Sequence, residues 1–290
     1  MREDALLKKA QTLRVQEHRL RPALRLKTVE DAVDFIHARG IVSMLGGNEL
    51  PGLVSALMGR EWKPTGKGFT SWLDWWSIQI SGKNAGHLVA DMARRNDIVA
   101  TRIFRNSKTF VSNRLWPILD PIVRHYQDLA GKRKILSQLE WKILQTLGEK
   151  GPTRTDGLRT VLKLEGKQHT SSFHRAVNQL ERLGIIMGYE DPKPERHLHA
   201  SIWHLWGQRV GLQEKTAITR ETALAEMVER TLDASIFARE EEVRKWFSWN
   251  GELLKAKDKL VAKGVIIRAG PFLFAPRVSA SSKLGTRRNL

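Results

Sequence analysis

The stretch 137–206 constrains this chain more than any other, because several independent local signals in it agree on one order of elements. Ser137-Gln138-Leu139-Glu140 is a capping box, in which the serine hydroxyl accepts from an early helix N–H and the glutamate reaches back to the cap. Leu139, Ile143, Leu144 and Leu147 follow at helical spacing, and Gly148 and Gly151-Pro152 stop the helix. Thr155 is placed to cap a second helix with Leu158, Val161 and Leu162 on its inner face. Thr170 or Ser171 is placed to cap a third, with Phe173, Ala176, Val177, Leu180 and Leu183 inward and Gly184 at its end. Ile185–Met187 and Ser201–Trp206 are strand-like runs flanking a polar, proline-containing loop, Asp191–His199. Three helices followed by a ribbon with a polar tip spell a winged helix-turn-helix unit over residues 131–212.

Residues 216–278 repeat the plan. Thr222–Leu232 reads as a helix with Leu224, Met227, Val228 and Leu232 inward. Ala238–Trp246 reads as a second, whose acidic first turn (Glu240, Glu241, Glu242) suits the positive end of the helix dipole. Asn250 is placed to cap a third containing Leu253, Leu254, Leu260 and Val261, closed by Gly264. Val265–Arg268 and Phe272–Phe274 flank Ala269-Gly270-Pro271 as a tight hairpin. No exact sequence repeat is visible; the repetition lies in the plan.

The N-terminal part is less regular. Residues 1–27 form a basic arm, and 28–130 read as a divergent, Trp-rich winged-helix-like domain. Its elements are helices over Val29–Ala38 and Leu53–Met58, an apolar run Trp72–Ile80, a hairpin from Ile98–Phe104 and Thr109–Val111, and a closing helix Leu115–Leu129. The Ser- and Arg-rich tail 279–290 is expected to be disordered. The fold class expected is thus mainly α with small β wings, as three tandem winged helix-turn-helix units.

Charge supplies the functional direction. Lys plus Arg is 49 against 31 acidic residues, a net charge of +18. The excess is +5 in 1–27, +2 in 28–129, +6 in 130–215 and +5 in 216–290. A field of this size marks a polyanion partner, with double-stranded DNA the leading one. The absence of cysteine excludes disulfides, thiolate metal sites and cysteine nucleophiles, and fits a reducing cytoplasm, at the nucleoid for a DNA-binding protein. No apolar run is long enough to span a membrane, and the charged start Met1-Arg2-Glu3-Asp4 does not read as a signal peptide.

In the third helix of 131–212, the face opposite the apolar stripe shows Ser171, His174, Arg175, Asn178 and Arg182. Arginine pairs with guanine and asparagine with adenine in the major groove, where this helix of the fold docks. Lys193, Arg196, His197 and His199 lie on the expected wing, which contacts phosphates or the minor groove. Thr153, Arg154 and Arg159 are candidates for backbone phosphates. Lys255, Lys259 and Lys263 fall at i, i+4 and i+8, one stripe of the last domain's third helix. Among ten tryptophans, Trp141, Trp203, Trp206, Trp246 and Trp249 fall on core positions. Trp72, Trp75 and Trp76 share one helical face, as core or as a base-stacking surface. No phosphate loop, GxGxxG, HExxH or GxSxG is present, His197-x-His199 lacks a further ligand at metal spacing, and no metal or cofactor is expected.

Leu26–Val42, Glu49–Leu57 and Thr109–Ser112 leading to Pro117 together resemble the tandem winged-helix family of the bacterial crosslink-repair DNA glycosylases, the AlkZ-like and AlkZ-related proteins. The resemblance implies DNA binding on this fold. The glycosylases of that family place Gln-x-Gln or Gln-x-Asp after the first helix to position the attacking water. The corresponding stretch here, Gly40-Ile41-Val42-Ser43-Met44-Leu45, has neither amide nor carboxylate, and a serine hydroxyl is a weak base. Asn48 and Glu49 are the nearest substitutes, with Glu49 the candidate catalytic group. The reading is therefore a DNA-binding relative that lacks the catalytic motif. The alternatives are a glycosylase acting on alkylated or crosslinked DNA, or a winged-helix regulator or assembly module.

Overall fold

Short helices alternate with small sheets in a computed structural model that describes residues 3–63, 77–132, 135–191, 200–211 and 218–280. In chain order the first elements are α1 (Glu3–Glu17), α2 (Val29–Arg39), β1 (Ile41–Ser43), α3 (Leu53–Met58), β2 (Gln79–Ile80), β3 (Lys83–Asn84), α4 (Ala85–Arg94), β4 (Ile98–Thr101), β5 (Thr109–Ser112) and α5 (Trp116–Gly131). A middle set follows: α6 (Gln138–Lys150), β6 (Thr153–Arg154), α7 (Thr155–Val161), α8 (Thr170–Arg182), β7 (Ile186–Glu190), β8 (Ser201–Leu205) and α9 (Trp206–Val210). The last set is α10 (Arg220–Ser235), β9 (Phe237–Arg239), α11 (Glu240–Val243), α12 (Asn250–Ala262), β10 (Ile267–Ala269), β11 (Phe272–Phe274) and α13 (Pro276–Ala280). No described helix is long and apolar enough to cross a membrane. The architecture is mainly helical with small sheets.

The chain groups into two compact units, residues 90–223 and residues 1–89 with 224–290. In the first of these, the apolar stripe of α8 closes a core. Phe173, Ala176, Val177, Leu180 and Leu183 are buried with Ile143 and Leu147 of α6, Leu158 of α7, and Ile186 and Trp203 of the ribbon. The capping box of α6 is formed as expected, with Glu140 N–H donating to Ser137 Oγ at 3.4 Å and Ser137 N–H to Glu140 Oε2 at 2.8 Å. The ribbon pairs antiparallel from Ile186↔Leu205 to Glu190↔Ser201, and β6 adds on the other side of β8. Gly188 lies against the Trp203 ring so closely that a Cβ there would stand 2.6 Å from it.

In the other unit the expected arm is a helix, α1, packed against α13. His18 is buried and its Nε2 donates to the Ala234 carbonyl at 2.9 Å. Glu17 pairs with Arg39 and with Arg277, and Arg277 also pairs with Asp233 at 2.7 Å. Arg14 donates to the carbonyls of Asn48 and Glu49 at 2.7 and 3.1 Å and lies 5.3 Å over the Phe237 ring.

The middle and last sets match at core positions. Leu139, Ile143, Thr146, Leu147 and Leu158 correspond to Leu224, Val228, Thr231, Leu232 and Val243, each 85 positions on. Phe173, Ala176, Leu180, Gly184 and Ile186 correspond to Leu253, Ala256, Leu260, Gly264 and Ile266, each 80 positions on. Both three-stranded sheets have the first strand beside the last, in the orders β6-β8-β7 and β9-β11-β10. Gly184 and Gly264 take φ +77° and +69° at the same point after their helices, where each amide donates to the residue three back at 3.0 Å. Even a left-handed residue recurs, as Gly151 (φ +75°) and Ile236 (φ +70°).

Several local expectations are corrected. The N-cap of α7 is Arg154, because the Thr155 hydroxyl is drawn to the ribbon, accepting from Trp203 Nε1 at 2.9 Å. α8 continues from a 3-10 turn with His169 as N-cap, and α12 begins at Asn250 with Trp249 as N-cap; neither cap uses a side-chain bond. Val161 faces outward at 43% exposure, since α7 ends there. Trp141 is only half-buried, whereas Trp203, Trp206, Trp246 and Trp249 are buried. The helix expected over Ala238–Trp246 is a strand and a short helix, because Phe237–Arg239 pair with β11. Ser279 and Ala280 belong to α13, while 281–290 lie outside the described residues, as do Trp72, Trp75, Trp76, Lys193, Arg196, His197 and His199.

Candidate nucleic-acid interface

α8 is amphipathic over its whole length, and its polar face is the candidate interface. Ser171, Ser172, His174 and Arg175 are exposed, and Asn178 and Arg182 are half-buried on the same side. Burial of the opposite stripe fixes which residues face outward, so the expected grouping of Ser171, His174, Arg175, Asn178 and Arg182 on one face is what the helix presents. The His174 ring meets the buried Phe173 ring edge-on at 6.0 Å.

The two candidate phosphate ligands on α7 and its N-cap have other partners. Arg159 spans the connection into α8, donating from Nε to Leu164 O at 2.9 Å and from Nη2 to Gly166 O at 3.0 Å and Glu165 O at 3.3 Å. It also meets Thr170 Oγ1 at 3.3 Å and lies 5.9 Å over the Phe173 ring. It acts on the position of the helix. Arg154 pairs with Asp191 at 2.7 Å and Asp156 at 3.1 Å, and Thr153 donates to Gly151 O at 2.8 Å. In the last set, Lys255 and Lys259 are exposed on α12 and Lys263 is exposed at its C-cap. Beside them the buried Lys257 pairs with Glu240 at 2.5 Å and Asp258 at 2.9 Å, and Arg268 joins Glu240.

One residue that sequence reasoning passed over is Glu181. It is 1% exposed, on the last turn of α8, and its carboxylate meets Arg102 Nε at 3.2 Å and Lys108 Nζ at 3.4 Å. The available signal was its place on the apolar stripe, four residues after Val177. Elsewhere in the unit, Tyr189 stacks on the His204 ring at 5.2 Å and Arg209 lies 5.3 Å over Tyr189. Burial and the nearby Arg209 charge push His204 down to about 4, so its imidazole is neutral at pH 7.

The segment that follows α2 is buried at its start. Ile41 and Val42 are fully buried and Ser43 is 1% exposed. The Ser43 hydroxyl accepts from the Gly46 amide at 3.0 Å, and the Ser43 amide donates to Pro51 O at 2.8 Å. Glu49 is half-buried with its charge acting on the Arg14 guanidinium, whose pKa burial lowers and Glu49 raises.

A family model described as AlkZ related matches residues 26–248. The chain belongs to the AlkZ-related family. Among solved structures, the Streptomyces sahachiroi DNA glycosylase AlkZ shares the fold, with a TM-score of 0.54 at 15% identity, covering 97% of this chain and 72% of that one. No curated protein sequence matches. In this member of the AlkZ-related family, strand β1 is buried and α8 carries an exposed polar face.

Proposed function

We propose that this AlkZ-related protein binds double-stranded DNA, with α8 in the major groove, at the cytoplasmic nucleoid. The middle and last sets act as winged-helix units and the N-terminal part as a divergent third. The observation that carries the reading is the α8 face: Ser171, His174, Arg175 and Asn178 turned out of a helix whose other side is wholly buried, in a chain of net charge +18. Arginine and asparagine side chains there suit base edges, serine and histidine suit phosphates. Lys255, Lys259 and Lys263 supply sequence-independent contacts to the backbone, and Lys193, Arg196 and His197, between β7 and β8 in the sequence, are assigned the same role.

The same reading holds that base excision is absent. β1 offers no acceptor for the proton of an attacking water, and the Ser43 hydroxyl is held inside a turn. General acid–base catalysis of this kind is worth about 10²–10⁴ in rate. The test is a duplex titration by fluorescence anisotropy across a salt series, run beside an assay for abasic sites on alkylated and crosslinked duplexes. Binding whose log K falls linearly with log salt, with no abasic sites, supports the reading. A flat salt dependence removes DNA as the partner. Release of base that disappears in Glu49→Gln makes the protein a glycosylase.

A further inference from the structure

We infer that the connection from α1 to α2 is an edge that grips the sugar-phosphate backbone of duplex DNA, through Arg19, Arg21, Arg25 and, from the end of α3, Arg60; the inference rests on the DNA-binding reading above. All four arginines are exposed, and among the described residues none has a side-chain hydrogen bond or ion pair. The first of them closes α1. Leu20 N–H donates to Val15 O at 2.9 Å and Arg19 N–H to Gln16 O at 3.2 Å, a helix ending that normally has glycine where Arg19 stands. Arg19 takes φ +60° there, a region in which arginine is strained. A long cation is thus kept at a position where glycine would serve the turn better, and residues held against their backbone preference concentrate at functional sites.

The main chain that carries these arginines is pinned between them. His18 is buried on the Ala234 carbonyl, and Leu26, 4% exposed, donates its amide to Ala56 O at 3.1 Å. Between these anchors Pro22–Leu24 form a 3-10 turn, with Leu24 N–H donating to Arg21 O at 2.8 Å. Gly59, which ends α3, lies so close that a Cβ there would stand 2.8 Å from Arg21 O and from Pro22 Cα, and this brings the next residue, Arg60, to the same edge. Arg19 and Arg25 line one cleft of about 350 Å³. Two of its three acids are engaged: Glu17 pairs with Arg39 and Arg277, and Asp31 accepts from the Lys27 and Thr28 amides at 2.8 and 3.1 Å. Asp34 is the acid left against the two arginines. The arginine fork matches phosphate oxygens in pairs, and a main chain already fixed loses little freedom when such contacts form. The partner chemistry is a regular row of phosphates, with no base read.

Arg19→Gly separates fold from contact, since glycine relieves the helix ending while removing the cation. Its urea midpoint should equal or exceed that of the wild type. Its affinity for a mixed-sequence duplex should fall roughly eightfold at 0.1 M salt, and the slope of log K against log salt should lose about 0.9, the value of one phosphate contact. Arg21→Gln combined with Arg25→Gln should take about 1.8 from the slope. Lys8→Gln, which removes an exposed lysine of α1 outside the edge, should leave affinity and slope as they are. An equal loss in Lys8→Gln would mean diffuse charge and overturn the inference. Unchanged affinity and slope in Arg19→Gly and in the Arg21→Gln, Arg25→Gln double variant, with wild type bound and Arg175→Ala weakened, overturn this inference alone, as does a loss seen only on single-stranded RNA. A wild type that does not bind duplex overturns it together with the DNA-binding reading.

Discussion

α8 and α12 share one buried pattern and carry different outer faces. Each has 13 residues, buries a large apolar side chain, an alanine and a leucine at matching positions, and ends in a left-handed glycine followed by two β-branched residues. Their outer faces share almost nothing. α8 shows Ser171, His174, Arg175 and Asn178, a mixed set that can both donate and accept. α12 shows lysines at 255, 259 and 263 and an acidic Asp258 where α8 has Asn178. The inner face is bound by packing, where a change of one methylene is felt, whereas the outer face is free to change chemistry at little cost in stability. The comparison teaches that the copies are recognisable from their cores and distinguishable in function only from their surfaces.

The largest expected effect tests what holds the last set in place. His18, just after α1, bonds Ala234 at the end of α10, whereas the residue of the middle set that corresponds to Ala234, Glu149, is exposed. Burial first, then the Arg14 charge, lowers the His18 pKa from 6.5 to about 3. In acid the unfolded chain therefore takes up a proton near pH 6.5 that the folded chain refuses until about pH 3. Stability is lost over that window as pH falls, by up to about 4–5 kcal/mol. Urea melts at a series of pH values should show this fall, and His18→Gln, which keeps a donor for Ala234, should flatten it. An equal acid dependence in the variant would remove His18 as its source.

Next in size is the contrast between Glu181 and its counterpart Val261. Glu181→Gln strips the charge from a buried carboxylate facing two cations and should cost roughly 3 kcal/mol. Val261→Ala trims a half-buried side chain with no such partners and should cost about 1 kcal/mol. Similar losses in thermal melts of the two variants would mean the clamp on α8 adds nothing beyond packing.

Binding should separate the two outer faces. Arg175→Ala should lose about 1–3 kcal/mol of discrimination at one base position, while Lys255→Ala should weaken all duplexes alike and take about 0.9 from the salt slope. A selection from randomised duplexes would reveal the first effect, and unaltered preference in Arg175→Ala would deny α8 the reading role.

The smallest effect concerns Lys257, which stands where the middle set has the buried Val177. Lys257→Val imports that apolar solution and leaves Glu240 with Arg268. Replacing a buried ion pair by a packed hydrophobe is often neutral or stabilising, so a change between zero and about 1 kcal/mol in favour of the variant is expected. A clear loss in a urea melt would show the Lys257 network to be favourable in itself.

Much of this was legible along the chain. The Ser137–Glu140 capping box, the apolar stripe of α8, the polar set opposite it and the Gly270–Pro271 turn are local features, and local chemistry determined them: a cap needs residues three apart, a stripe needs only helical periodicity. The resemblance of Leu26–Val42 and Glu49–Leu57 to the AlkZ-related family was equally a property of the string. Tertiary structure decided the rest. β9 formed in place of a helix because β11 offered it a ladder, and Thr155 left its capping role because Trp203 needed an acceptor. Arg159 turned from a phosphate ligand into a brace because three loop carbonyls lay within its reach. The shared plan of the middle and last sets was legible along the chain, but the register that matches them, 85 and then 80 positions, emerged only from which positions are buried, and that is settled by packing between elements far apart in the chain. For the same reason the Glu181 clamp, made across 73 to 80 residues of sequence, had no local signature beyond an acid out of place on an apolar stripe.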